Sequence, residues 1–178
     1  MLGLQTISSR QLDSTLTPSI ITVGKILGGV RSNIIPDEVE MLGTIRTFDA
    51  RVRRDIHRRI KLTAELIAES AGATATIVIN EGTPVTVNNP ALTKRMAPTL
   101  VKAAGAGNVS IVPRTTTAED FAYYQKQIPG LFFFLGVSDP KDENPASNHS
   151  PYFYADERAL PVGVKAMTYL ALEYLEKE

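Results

Sequence analysis

The two histidines of this chain lie in different settings, and only one of them suits ligand binding. His149 lies in the polar stretch NPASNHSPYFYADE, whereas His57 lies among arginines in RVRRDIHRRIK. A neutral imidazole is a common metal ligand, but a metal site needs several ligands and the chain has no cysteine. The residues alone leave two interpretations of His149: a surface histidine, or one ligand of a site whose other ligands are not evident. We assign no role to His57.

Asn33 and Arg46 offer a second kind of chemistry, the recognition of a carboxylate. Asn33 lies in a turn and Arg46 lies in the predicted strand that follows it. An amide can donate a hydrogen bond to a carboxylate, and a guanidinium can bind one through two parallel N–H groups. An asparagine at a turn and an exposed strand arginine are also ordinary surface features, so spacing alone does not decide between the two interpretations.

Glu119 and Asp120 form an adjacent acidic pair in TTTAEDF. Thr117 and Asp120 have the spacing of a capping box, and acidic residues favour a helix start through the helix dipole. We therefore interpret this stretch as the capped start of a helix and not as a pair of catalytic acids.

The charge balance argues against nucleic acid and anionic membranes as partners. The chain has 19 lysines and arginines and 19 aspartates and glutamates, so no net attraction to polyanions is expected. The basic run at 51–61 shares its helix with an apolar stripe and has no aromatic stacking motif, and we interpret it as a solvated helix face. No apolar run approaches the roughly 18 to 20 residues of a membrane span, and the first residues lack the pattern of a signal peptide.

Patterns in the first half of the chain predict a small α+β layer. A helix pattern without a preceding cap begins the chain, and two predicted strands follow at 19–29 and 37–48. Asp49 is the predicted N-cap of a long amphipathic helix that ends near Gly72. The stretch TATIVIN at 74–80 is a predicted third strand, which is typical of helices packed on one face of a sheet.

The second half predicts part of a larger α/β domain. The segment 81–90 is the predicted domain boundary, and Asn89 with Pro90 predicts a helix start. The predicted helices span 90–104, 118–128 and 157–177. A predicted strand at 108–113 and a central strand at 131–136, covered on both faces, lie between them. A polar loop at 138–150 precedes the final helix. These strands are too few to close a sheet of their own.

Three long stretches, in this order and at this spacing, carry a family resemblance: GGVRSNIIPDEVEMLGTIRTFD, AEDFAYYQKQIPGLFFFLG and HSPYFYADERALPVGV. The chain resembles the two-metal amidohydrolases of the hippurate hydrolase and N-acyl-amino-acid hydrolase type, within the aminoacylase-like metallopeptidases (metallopeptidase family twenty). The resemblance extends from about Leu2 to Leu175. One departure is the stretch RTTTA before the acidic pair, where the family usually has small residues such as glycine.

The resemblance implies an architecture of α/β plus α+β type. Residues 1–80 would be a partial α+β lid, which is also a dimerisation domain, and residues 81–178 would be the C-terminal part of an α/β catalytic domain. The expected partners are a small-molecule substrate and a second copy of the chain bound through the lid.

At matching positions, the resemblance implies that His149 is a metal ligand and that Asn33 and Arg46 hold the carboxylate of the substrate. It implies two divalent cations per site, among which the sequence does not distinguish zinc, manganese, nickel and cobalt. The other ligands and the general-base glutamate of the family lie upstream of the segments found here. We therefore assign no catalytic residue, and we expect the isolated chain to be inactive as a hydrolase of N-acyl amino acids. The alternative is a non-catalytic remnant that acts through dimerisation, and the cellular compartment is not predicted.

Overall fold

An antiparallel hairpin forms the sheet in the first half of the chain. In the computed structural model, which describes residues 1–176, β1 (Ser19–Gly28) pairs with β2 (Val39–Thr47) along their full lengths. Both strands are confirmed close to their predicted bounds. Within the described residues this hairpin is the only hydrogen-bonded sheet.

Contacts divide the chain into two units. The first contains Met1–Val85 together with Thr115–Glu119, and the second contains Thr86–Arg114 together with the chain from Asp120 onward. Each unit mixes segments that are distant in sequence. The mixed α/β character is confirmed, whereas the assignment of a lid and a catalytic part stays a prediction.

Two helical segments pack against the hairpin in the first unit. α1 (Leu2–Thr6) continues into a π-helical turn (Ile7–Gln11), and α2 (Ala50–Ser70) follows β2. The buried core consists of isoleucines from the turn, from β1 and from α2: Ile7, Ile21, Ile56 and Ile60. The predicted apolar stripe of α2 therefore faces the core, except that Ile67 at its end is 53% exposed.

Both ends of α2 form where the sequence predicts them. The carboxylate of Asp49 accepts hydrogen bonds from the backbone N–H groups of Val52 (3.1 Å) and Arg51 (2.6 Å), and these bonds lower the pKa of Asp49. At the other end Gly72 has φ +68°, and its N–H donates to the carbonyl of Glu69 at 2.9 Å. A left-handed glycine with this bond is a common helix stop.

Most basic residues of α2 face solvent, as predicted for the run at 51–61, whereas Arg53 and Arg59 are half-buried. Its exposed members include Arg51, Arg54, Arg58 and Lys61. Asp55 on the same helix accepts hydrogen bonds from Arg59 and Arg58, both at 2.7 Å, which lowers the pKa of Asp55.

The segment 74–80 has the burial pattern of a strand but no hydrogen-bonded neighbour. Residues 75, 77 and 79 are half-buried and alternate with exposed residues, and Ile77 and Ile79 pack against the isoleucine core. No ladder joins this segment to another strand within residues 1–176. The prediction of a third strand is therefore wrong as a ladder, because alternation indicates which face is buried and not which strand lies alongside.

Two long helices pack together in the second unit. α3 (Pro90–Ala104) begins after Asn89, whose side-chain oxygen accepts the N–H of Leu92 at 2.9 Å, as the sequence predicts. A 3₁₀ turn (Glu157–Ala159) leads into α5 (Leu160–Leu175).

A polar contact crosses the interface between α3 and α5. Thr99 on α3 is 1% exposed, and its hydroxyl donates to the carboxylate of Glu173 on α5 at 2.9 Å. Lys102 forms an ion pair with the same carboxylate at 2.7 Å, and this hydrogen bond raises the pKa of Lys102. The buried hydroxyl is thus satisfied, and the two helices are held in a defined register.

The two strands predicted in the second unit are not formed. Segment 108–113 is mostly exposed, and segment 131–136 is half-buried rather than covered on both faces. The side-chain amide of Asn88 instead bonds both backbone groups of Phe132, through its Oδ1 to the N–H and through its Nδ2 to the carbonyl, each at 2.7 Å. An apolar run indicates burial, but a ladder also requires a neighbouring strand, which the described residues do not supply here.

The helix predicted over 118–128 is also shorter than expected. It is present only as α4 (Phe121–Gln125).

Among residues 1–176 no helix has both the length and the apolar character that a membrane span requires.

We predict that Ile56→Ala lowers the free energy of unfolding by about 2–5 kcal/mol, because the side chain is fully buried in the core and its removal leaves a cavity. Ile67→Ala on the same helix is the matched control, and it should cost less than about 1 kcal/mol because that side chain is half exposed. Urea unfolding followed by circular dichroism measures both. Equal losses in the two variants would contradict a core centred on Ile56.

Candidate functional site

His149 lies at the third position of an exposed turn. The turn is closed by a hydrogen bond from the N–H of Ser150 to the carbonyl of Ser147 at 3.0 Å, and the N–H of His149 donates to the side chain of Asn148 at 3.1 Å. His149 has φ +71° and is the only non-glycine residue with a positive φ in the described part of the chain. This left-handed conformation costs an ordinary residue roughly 1–2 kcal/mol, and histidine is one of the few non-glycine residues enriched in it.

A group of charged side chains closes the base of the loop that carries His149. Arg158, just before α5, contacts Asp139 at the start of the loop (2.9 Å) and both carboxylate oxygens of Asp156 at its end (Nε at 2.8 and 2.9 Å). The N–H of Asp156 also donates to the carbonyl of Val137 at 2.7 Å. We call Asp139, Asp156 and Arg158 the Arg158 cluster. Sequence reasoning did not find it, although the Asp-x-Arg spacing before α5 was a local signal for half of it.

The described residues do not form a metal centre by themselves. Among residues 1–176 no group of three or more histidine, cysteine, aspartate or glutamate side chains is arranged to hold a metal ion. A protein zinc site takes three or four such ligands. His149 is therefore at most one ligand of a centre that needs others.

Asn33 and Arg46 lie at opposite ends of the hairpin. Arg46 is paired with Ile20, near the end of the ladder where the strands meet the core. Asn33 lies in the loop that connects the strands at the other end, beyond Val39. Val39 and Arg46 are seven residues apart on one strand, a separation of about 23 Å at the usual rise. The structure therefore does not bring these two residues together within one chain.

Both side chains are exposed and keep hydrogen-bond donors. One guanidinium nitrogen of Arg46 donates to the carbonyl of Thr116, in the same unit, and Arg46 has no acidic partner among the described residues. The side chain of Asn33 makes no hydrogen bond within residues 1–176. Each therefore keeps donors for a carboxylate.

The acidic pair does stand at the start of a helix, as predicted, but the predicted capping by Thr117 is wrong. Helix α4 begins at Phe121, so Asp120 and not Thr117 occupies the N-cap position, and Asp120 makes no side-chain capping bond. A side-chain cap requires an extended backbone at the N-cap residue. The backbone of Asp120 is instead helical at φ −66°, ψ −23°. Glu119 and Asp120 have no assigned role.

Comparison with known proteins identifies the family of this chain. The model of Peptidase family M20/M25/M40 matches residues 7–173. Because this match covers nearly the whole chain, the chain belongs to that family. The predicted relationship to metallopeptidase-type amidohydrolases is confirmed.

Individual relatives agree with this assignment. Thermostable carboxypeptidase 2 of Saccharolobus solfataricus is 35% identical over 175 residues, which are 96% of this chain and 43% of that protein. N-acetyl-L-cysteine deacetylase of Bacillus subtilis is 38% identical over 173 residues, 96% of this chain and 38% of that protein. A crystal structure from Bacillus subtilis, described as a dinuclear metal-binding peptidase of the M20 family, aligns with a TM-score of 0.74 and 28% identity over 98% of this chain and 45% of the other. The chain thus spans about two fifths of the length of the curated relatives it matches.

We predict that the Arg158 cluster opens in acid. Hydrogen bonds from the side chain and the backbone N–H of Arg158 lower the pKa of Asp156 from 3.8 to about 2. A carboxyl whose pKa is lower in the folded chain stabilises the fold above its unfolded value, and this contribution is lost as the pH falls from 3.8 to about 2. The Nε–H signal of Arg158, followed by NMR during acidification, should move in that window.

Asp156→Asn should abolish that transition, whereas Asp49→Asn, at the equivalent position before α2, should not. A transition of the Arg158 signal centred at or above the ordinary aspartate value would contradict the prediction.

Proposed function

We propose that this chain is a portion of a metal-dependent amidohydrolase that cleaves the amide bond of N-acyl amino acids or related small substrates with a carboxylate. The observation that carries the proposal is the family match over residues 7–173, which includes the loop of His149 and the hairpin of Arg46. A relative with 38% identity is named for deacetylating N-acetyl-L-cysteine, which is an N-acyl amino acid.

In this proposal His149 supplies one ligand to a centre of two divalent cations. Zinc, manganese, nickel and cobalt are all compatible with an imidazole ligand. A bound cation of this kind polarises a carbonyl and lowers the pKa of bound water. The other ligands and the general base have to come from outside residues 1–176, so we expect the isolated chain to be inactive.

Arg46 and Asn33 are proposed to hold the carboxylate of the substrate. Arg46 is suited to bidentate binding through its guanidinium, and Asn33 adds an amide donor. Since the two residues lie at opposite ends of one hairpin, they can meet at a single carboxylate only if they come from two copies of the chain. The substrate proposal and a homodimer are therefore linked.

The hairpin arm, residues 24–43, supports such a dimer through the lid. Its strand residues are exposed on both faces and its apolar side chains do not contribute to the core. The exposed apolar residues of the arm are Ile26, Leu27, Val30, Ile34, Ile35, Val39, Met41 and Leu42. Exposed apolar surface of this kind is typical of protein interfaces, and an open strand edge favours pairing with another chain.

A second candidate function is a non-catalytic protein that acts through dimerisation alone. It is favoured by the lack of a metal-binding group among residues 1–176 together with the apolar hairpin arm. Reconstitution of activity distinguishes the two candidates.

The test uses a chimera in which this chain replaces the 173-residue matched segment of the Bacillus subtilis deacetylase. We predict that the chimera hydrolyses N-acetyl amino acids only when a divalent metal is present. The 178-residue chain alone should not hydrolyse them. In the chimera His149→Ala should lower kcat/KM by more than about 100-fold. Arg46→Ala should raise KM by roughly 10- to 150-fold, because hydrogen bonds to a charged group contribute about 1.5–3 kcal/mol.

His57→Ala and Arg51→Ala are the matched controls for these two changes and should leave the kinetics unchanged. An active, metal-dependent chimera in which His149→Ala has no effect would contradict the role of His149. A folded, metal-loaded chimera without hydrolase activity would favour the non-catalytic candidate.

We further predict that Ile35→Asp converts a dimer of the chain into a monomer, because it places a charge on the apolar surface of the hairpin arm without affecting the core. Leu16→Asp is the control, since Leu16 is 79% exposed and lies outside the arm. Sedimentation velocity measures the oligomeric state of both variants. A parent chain that is monomeric at every concentration tested would contradict dimerisation through the arm.

A further inference from the structure

The loop that carries His149 has no helix or strand to hold it. The segment between Val137 and Asp156 contains only turns and irregular chain. Apart from a long contact of 3.5 Å from the hydroxyl of Tyr154 to Asp142, its internal hydrogen bonds are short-range, such as those from Ser150 to Ser147 and from Phe153 to Ser150. Bonds of this kind shape each turn, but they do not fix where the loop lies relative to the helices. That position has to be set at the base of the loop.

The Arg158 cluster is built to set it. Arg158 lies in the 3₁₀ turn that leads directly into α5, which is packed against α3. From there its guanidinium reaches Asp139 at one end of the loop and Asp156 at the other. The side chains of Asp139 and Asp156 are only 33% and 15% exposed, and the second oxygen of Asp139 accepts the N–H of Lys141 at 2.9 Å.

A second Asp-x-Arg pair in the chain shows what the motif does without a loop. Asp49 and Arg51 have the same spacing before α2, but Arg51 is 85% exposed and is 3.7 Å from the carboxylate of Asp49. It contacts no third residue through an ion pair among those described. The additional contact to Asp139 therefore distinguishes Arg158 from an ordinary residue of a helix cap.

We propose that Arg158 is a positioning residue that holds the loop of His149, so that the imidazole is presented in one orientation. This role rests on the proposed function, in which His149 is a metal ligand. The planar fork of the guanidinium is what allows one side chain to bind two carboxylates in fixed directions, and an ammonium would not do so. Arg158 itself contacts neither metal nor substrate.

The test uses the 178-residue chain with His57→Gln, which leaves His149 as the sole imidazole. Two quantities are measured by NMR in parent, R158Q, R158K and R51Q. The first is the order parameter of the His149 N–H. The second is the pattern of amide broadening caused by Cu²⁺–iminodiacetate bound to the imidazole, which reports the direction in which His149 holds a metal.

We expect an order parameter of about 0.85 in the parent and below about 0.6 in R158Q. In the parent, a single position of the copper ion should account for the broadening of all affected amide signals. In R158Q, no single copper position should account for it. R158K should give intermediate values of both quantities, because lysine keeps the positive charge but lacks the planar guanidinium. R51Q should give the order parameter and broadening pattern of the parent. Both R158Q and R51Q should keep a cooperative thermal unfolding transition, so that a general loss of structure is not the cause.

An R158Q chain with the order parameter and copper pattern of the parent would overturn the positioning role and leave the metal-ligand proposal intact. An active chimera whose hydrolysis is unaffected by His149→Ala would overturn the metal-ligand proposal. The positioning of His149 by Arg158 would then have no function in metal binding, even if R158Q loosens the loop. The two failures are therefore distinguishable.

Discussion

The contact between α2 and the β1–β2 hairpin determines how the first unit is built. Isoleucines from both elements fill the core, and burying such side chains contributes about 1.5–3 kcal/mol each. Only the strand ends near Ile21 and Ile45 take part in this contact, so the rest of the hairpin extends away from it. The same packing places Arg46 at the core end and Asn33 at the free end. The separation of the two carboxylate-binding candidates is thus a direct result of where the core lies.

The second unit depends on polar contacts to a greater degree. Thr99 and Glu173 join the two long helices, and Asn88 replaces a neighbouring strand at Phe132 with its own amide group. The Arg158 cluster likewise holds its loop through charge and not through apolar burial. Ion pairs that solvent can reach contribute little free energy, but the direction of a bidentate guanidinium is well defined. The geometry around His149 therefore depends on directed polar contacts more than on apolar burial.

The sequence predicts well those features that depend on local chemistry. Asp49 and Gly72 mark the ends of α2, and Asn89 marks the start of α3, because caps and stops act over a few residues. Segments 74–80 and 131–136 fail as strands, since a ladder depends on a neighbour that periodicity does not specify. The cap assigned to Thr117 fails for the related reason that α4 is one short turn with a later start.

The candidate site residues show the same difference between features set by local sequence and features that depend on distant parts of the chain. The interpretation of His149 as a ligand comes from the family resemblance and not from its spacing, because only scattered carboxylates lie near it in the sequence. The family itself is confirmed by comparison. The contact of Arg158 with Asp139 could not be predicted, because it joins the two ends of a long loop whose path is not encoded in any local pattern.

The left-handed backbone at His149 also limits which residues evolution can place there. Only glycine, asparagine, aspartate and histidine adopt this conformation with any ease. Of these four, glycine has no side-chain donor and asparagine is a weak ligand for transition metals, whereas histidine and aspartate bind them well. If His149 has the proposed role, replacement by glycine or asparagine would preserve the turn and remove the proposed metal ligand. Loss of the proposed ligand would then leave no structural trace beyond a single side chain.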